Sequence, residues 1–155
     1  MSGLSPLSLA AVDARSAPSA VALLHDFFKE SGFPGDRASI TAHLGAMVAD
    51  SHHWAALIRE AGLAIGVITV TTMLYVEWGR LGEIGDLYVV PSARKRGVAR
   101  RLIEAGLDWC YAHGCSAVSV VVTEQGEIRD GLGLFYRKLG FAASGRRIYT
   151  RPFAR

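Results

Sequence analysis

A mixed α/β fold is predicted for this chain: a six- or seven-stranded sheet, mostly antiparallel and then parallel, flanked by four helices. Three patterns predict it. Two β-favouring runs, 54–59 and 63–72, are joined only by Glu60-Ala61-Gly62, the spacing of a hairpin. A later strand, helix and strand (83–90, 96–112, 117–123) form a β-α-β unit, whose strands must run parallel. Apolar residues recur with period 3.6 in some segments and period 2 in others, and no linker or repeat separates them. The 155 residues are thus expected to form one domain, 1–155, large enough to bury a core without staples.

Each element has its own reason. Residues 7–13 (Leu-Ser-Leu-Ala-Ala-Val-Asp) read as a first strand. Val21, Leu24, Phe27 and Phe28 form one stripe of a helix from Ala20 to Lys29, which stops near Gly32. Asp36 is placed to cap a second helix with Ile40, Leu44, Met47 and Val48 inward. The hairpin follows, and then the link Tyr75–Gly82 leads to the strand at 83–90, which Pro91 stops because it has no N–H for a ladder. Val98, Leu102, Ile103 and Cys110 define the apolar face of helix 96–112. Val118, Val120 and Val122 alternate in the next strand, a helix covers 131–139, and a final strand is expected near Arg147–Phe153.

The segment Asp86–Ile103 carries most of the functional information. A strand ends, a loop with Gly97 follows, and a helix begins, with Arg94, Lys95, Arg96, Arg100 and Arg101 inside eight residues. A helix start presents unpaired N–H groups and a positive dipole end, which suits a phosphate or pyrophosphate. The run Arg94-x-x-Gly97-x-Ala99 after Leu87-Tyr-Val-Val-Pro91 resembles the acyl-CoA loop of the GNAT superfamily of N-acetyltransferases. Leu134-Phe-Tyr-Arg-Lys-Leu-Gly-Phe141 resembles that family's second signature, a helix bearing a tyrosine and ending at Gly-Phe. The order of elements is also the family's, so the resemblance covers nearly the whole chain.

The resemblance implies an acetyl-CoA-dependent N-acetyltransferase with acetyl-CoA as co-substrate and no metal. The thioester carbonyl would be held by a backbone N–H at Leu87 or a neighbour such as Tyr88, and Val89 would line the pantetheine arm. The loop and helix start, Arg94, Lys95, Arg96, Gly97, Val98, Ala99, Arg100 and Arg101, would hold the pyrophosphate, chiefly through backbone amides from Arg96 to Arg100. Tyr136 is the expected general acid, a phenol able to protonate a leaving thiolate. Two carboxylates compete as base, Glu83 and Asp86, with Glu83 slightly favoured and a water chain as the alternative. Strict alternation turns them to opposite faces unless the strand bulges, and Gly85 between them makes room for a bulge. Many family members carry an asparagine seven residues before the tyrosine, where this chain has Arg129 in the polar loop Glu124–Gly131.

Charge suggests the acceptor. Residues 1–90 hold nine acids against five Lys/Arg, whereas residues 91–155 hold five against twelve. The basic half contains the proposed phosphate loop, and the acidic half suits a small cationic amine, aminoglycoside- or polyamine-like. Acids at 75–86 and 124–130 are the expected acceptor lining; Tyr75 and Trp78 could stack on an acceptor, but filling a groove is the commoner role of half-exposed aromatics. A protein N-terminus or lysine is the alternative acceptor, and a non-catalytic acyl-CoA-binding regulatory domain is the rival reading. The basic residues cluster at one loop rather than along a face interleaved with aromatics, which argues against a nucleic-acid partner. No apolar run reaches the roughly 20 residues of a membrane span, and Met1–Ala20 lacks the basic start of a signal peptide. Cys110, Cys115 and His113 have no zinc spacing, and His52-His53 lacks a third ligand. A cytoplasmic enzyme with reduced thiols and room for a homodimer is the expectation.

Overall fold

The computed structural model describes residues 5–154, so Met1–Leu4, part of the stretch read as lacking a signal, and Arg155 lie outside it. The chain divides into two compact units, one ending at Val121 and the other beginning at Val122.

In the first unit the elements run β1 (Leu7–Ala11), α1 (Ala17–Ser31), α2 (Arg37–Val48), β2 (His53–Glu60), β3 (Leu63–Tyr75), β4 (Gly79–Val89), α3 (Val98–Ala112) and β5 (Ala117–Val120). The five strands lie in sequence order. β1 to β4 are antiparallel neighbours, and β5 runs parallel to β4 after the crossover through α3. The mixed, antiparallel-then-parallel sheet is therefore as predicted, with five strands among the described residues rather than six or seven. The link expected at 75–82 is mostly strand: β3 and β4 form one long hairpin that turns at 76–78.

Alternation sends successive residues to two differently covered faces. Ala55, Leu57, Val67 and Tyr88 pack with Val21, Leu24, Ile40 and Leu44 of α1 and α2. On the other face α3 lies close over the sheet. A Cβ on Gly66 would come within 2.9 Å of Leu102 and of Ile58, one on Gly106 would meet Ile68 at 3.2 Å, and one on Gly82 would collide with the Cys110 sulfur. The helices are also ended by local chemistry. Gly32 (φ 70°) closes α1 in the left-handed region, and the Asp36 carboxylate accepts the Ser39 N–H at 2.7 Å to cap α2, as expected.

In the second unit, the polar loop expected at 124–131 is largely a short helix, α4 (Glu124–Asp130), and α5 is Leu132–Lys138. The Thr123 hydroxyl accepts the Gly126 N–H at 3.0 Å, a capping contact that makes Thr123 a helix start rather than a strand end. The described chain thus has five α-helices, not four. The final strand expected near 147–153 does not form: residues 141–154 carry neither helix nor strand. Ile148, Tyr149 and Phe153 are largely exposed, so their β-propensity has no buried face to act on. Among the described residues, no helix is long and apolar enough to cross a membrane.

Candidate active site

A register slip in the β3–β4 ladder organises the site. Thr69 pairs with Asp86, Val70 with Ile84, and Thr71 with Glu83, so Gly85 is the extra residue of a β-bulge. Cross-strand partners share a face, and Thr69 and Thr71 are two apart on one strand. The bulge therefore brings Glu83 and Asp86 to the same face, the one that α1 and α2 cover. Strict alternation would have separated them.

The two carboxylates differ in surroundings. Asp86 lines a pocket of about 200 Å³, with Leu24 and Phe28 of α1, Ile40, Leu44 and Met47 of α2, and Thr69 of β3. The Thr69 hydroxyl, itself buried, donates to Asp86 Oδ2 at 2.6 Å. Burial pushes the Asp86 carboxyl above its usual range, and the Thr69 hydrogen bond pulls it part of the way back. Glu83 lies outside this pocket, opposite Thr71, whose hydroxyl is 2.6 Å from His53 Nδ1. The pocket walls on α1 and α2 escaped the sequence reading. Their periodicity identifies an inward stripe but not the part of it that stops short of full burial.

Beyond Asp86 the strand turns to another task. Pairing with β5 ends at Ile84↔Val120 while β4 continues to Val89. Val90 donates its N–H to the Ile65 carbonyl of β3, so by antiparallel alternation the N–H groups of Leu87 and Val89 point to the β5 side. The Tyr88 side chain faces α1 instead and is buried, its hydroxyl donating to Glu30 Oε2 at 3.1 Å.

The loop after β4 supplies backbone rather than loose charge. Arg101 N–H makes the first helical bond, to Gly97 O, so the N–H groups of Val98, Ala99 and Arg100 have no intrahelical acceptor, and no side chain caps them. Gly97 sits at φ 77°, and a Cβ there would meet nothing within 4 Å, so the backbone is open to close approach. Three of the five cations are engaged. Arg94 donates to Val89 O at 2.9 Å and pairs with Glu30 at 2.7 Å; Arg96 binds both oxygens of Glu60; Arg100 pairs with Glu104 at 2.8 Å. Lys95 and Arg101 make no ion pair among the described residues. Gly97→Val is expected to weaken CoA binding at least tenfold, by filling the approach and by forcing a branched residue into the left-handed region. Calorimetric titration with CoA checks it, and an unchanged affinity would remove this loop from the site.

In the second unit, the Tyr136 ring is buried and meets Phe135 and Phe141 edge-to-face, with centroids 5.1 and 5.4 Å away. Its hydroxyl has no hydrogen-bond partner among the described residues, yet no unpartnered side-chain N or O there is fully enclosed, so the oxygen keeps an opening. Burial pushes the phenol up to about 12. Glu127, an expected acceptor contact, accepts the Gly133 N–H at 2.8 Å and acts as a local cap; Asp130 lies 3.4 Å from Arg129. Trp78 packs on Tyr75 at the exposed hairpin tip, with ring centroids 5.5 Å apart.

Several solved structures share this architecture. An aminoglycoside N-acetyltransferase in complex with CoA matches with a TM-score of 0.85 at 20% identity, over 99% of both chains. The aminoglycoside antibiotic 6'-N-acetyltransferase of Acinetobacter haemolyticus matches at 0.79 and 18% identity, over 96% of this chain and 99% of its own. Glucosamine-6-phosphate N-acetyltransferase of Arabidopsis thaliana matches at 0.73 and 15%, over 94% and 98%. No curated protein matches the chain in sequence. The family model described as acetyltransferase (GNAT) family matches residues 19–141, from α1 through α5. With four-fifths of its length matched, the chain belongs to the GNAT family of acetyl-CoA-dependent N-acetyltransferases.

Proposed function

We propose that this protein acts as a single domain in the cytoplasm and transfers acetyl from acetyl-CoA to the primary amine of a small cationic molecule, directly within a ternary complex. One observation carries this reading. On a single strand, a half-buried carboxylate in a pocket, Asp86, is followed at once by N–H groups turned to the opposite strand edge, at Leu87 and Val89. Amine and acyl group could thus be held against one rigid element, which is the requirement for direct transfer.

Acetyl-CoA supplies the activated acyl group. The N–H groups of Val98, Ala99 and Arg100 bind its pyrophosphate, and the Leu87 N–H donates to the carbonyl oxygen as charge develops there. Asp86 attracts the ammonium and takes its proton, directly or through water, with Glu83 further along the same face as the second carboxylate. Tyr136 returns a proton to the departing sulfur, the role its match to the family signature implies. The solved aminoglycoside acetyltransferases support a small-molecule amine acceptor, and aminoglycosides and polyamines belong in the panel beside simpler amines.

The test is thiol release from acetyl-CoA across a panel of amines, with peptides bearing a free N-terminus or lysine alongside. Acceptor-dependent release with small amines is expected. Release with peptides alone would move the assignment to a protein substrate. Tight CoA binding without release from any acceptor would favour a regulatory CoA-binding domain.

A further inference from the structure

We infer that the acceptor is a monoamine with an apolar body, alkyl or aryl, rather than a polycation; this rests on the reading of the Asp86 pocket as the acceptor site. Asp86 is the one carboxylate lining that pocket. Leu24, Ile40 and Leu44 contribute buried aliphatic surface, and half-buried Phe28 and Met47 add apolar wall to a half-open cleft around the carboxylate. Ser39 and His43, both exposed, also line the pocket. The arrangement pairs one ammonium and desolvates carbon.

Within the pocket a second or third ammonium would find no partner, since Glu83 shares the face of Asp86 but is not part of the lining. Helix α2 carries no acid between Arg37 and Val48. The Asp36 carboxylate caps α2 outside the pocket lining, and Glu30 is paired with Arg94 and accepts from the Tyr88 hydroxyl. Burying a charge without a counter-charge is costly, so each extra ammonium in this cleft weakens binding. Size points the same way. At about 200 Å³ the pocket is smaller than the usual range of roughly 300–1,000 Å³ for drug-sized ligands. It suits a compact amine or the amine-bearing arm of a larger one.

Binding and turnover have to be separated. Calorimetry on the full chain saturated with CoA, which forms a dead-end complex, would compare n-butylamine, n-pentylamine, n-hexylamine and phenethylamine with spermidine and kanamycin. The monoamines should bind at least tenfold more tightly than either polycation. Affinity should rise about fourfold with each methylene until the pocket is full, the value expected for burying one CH₂. Met47→Glu, at a half-buried wall, should shift relative affinity towards spermidine by tenfold or more, with Tm followed to confirm that the variant is folded. Equal or tighter polycation binding, no amine binding, or a flat alkylamine series would each overturn the inference. Thiol release, followed separately, tests catalysis. Turnover that favours kanamycin leaves an acetyltransferase with a different acceptor preference, whereas selective monoamine binding without turnover keeps the pocket assignment and removes the catalytic one.

Discussion

Replacing Asp86 by asparagine is expected to lower kcat/KM by about 10²–10⁴, the usual contribution of a positioned acid or base. The substitution keeps the shape, and an oxygen can still accept the Thr69 hydroxyl, so the loss is one of charge. Because burial holds this carboxyl above its ordinary range, the wild-type acidic limb should lie above an ordinary aspartate's, and the variant should lack it. Thr69→Val removes the donor that favours the ionised form and should move that limb to still higher pH.

Stability should change in the opposite direction to activity. A carboxyl whose folded value is raised contributes stability below its unfolded value and loses that contribution as pH rises through the folded one. Asp86→Asn removes the charged form that the fold must bury. Its Tm should exceed wild type at neutral pH, and the difference should close as pH falls below the ordinary carboxylate range. If Asp86→Asn stays within about threefold of wild type while Glu83→Gln falls by 10² or more, Glu83 is the base.

Tyr136→Phe should reduce kcat by about 10² or more, with KM for the amine little changed, because the hydroxyl acts on the leaving group rather than on binding. The oxygen has no hydrogen-bond partner among the described residues, so little folding energy is lost with it. Tm should therefore stay within a few degrees. With the phenol pushed up to about 12, the residue stays protonated through the working range and should add no basic limb there. A fall in Tm with kcat intact would instead make Tyr136 a packing residue whose hydroxyl is incidental.

What could be read from the amino-acid order was local. The hairpin at Glu60–Gly62, the β-α-β unit, the Asp36 cap and the Gly97 loop are short-range signals, because periodicity and turn chemistry act within a few residues. The loop and Tyr136 signatures were enough to name the family. The same local reading overreached at 147–153, where β-favouring side chains lack a packed face, and at 124–130, where a threonine cap starts a helix instead.

The lining of the Asp86 pocket was decided at long range. A one-residue slip at Gly85 turned Asp86 to the face of Glu83, because side chains alternate with period 2 and one inserted residue reverses everything beyond it. Arg94 found Glu30 and Arg96 found Glu60, partners 64 and 36 residues away, so charges that looked available for phosphate are instead tied to the scaffold. Helices α1 and α2 lent Phe28, Leu44 and Met47 to a pocket whose carboxylate lies on a strand 39 to 58 residues further along. The amino-acid order alone was enough for the family and for the elements up to β5, because each is written in neighbouring residues. Register and packing settled which carboxylate lines the pocket and what surrounds it, because they bring together residues that no local pattern connects.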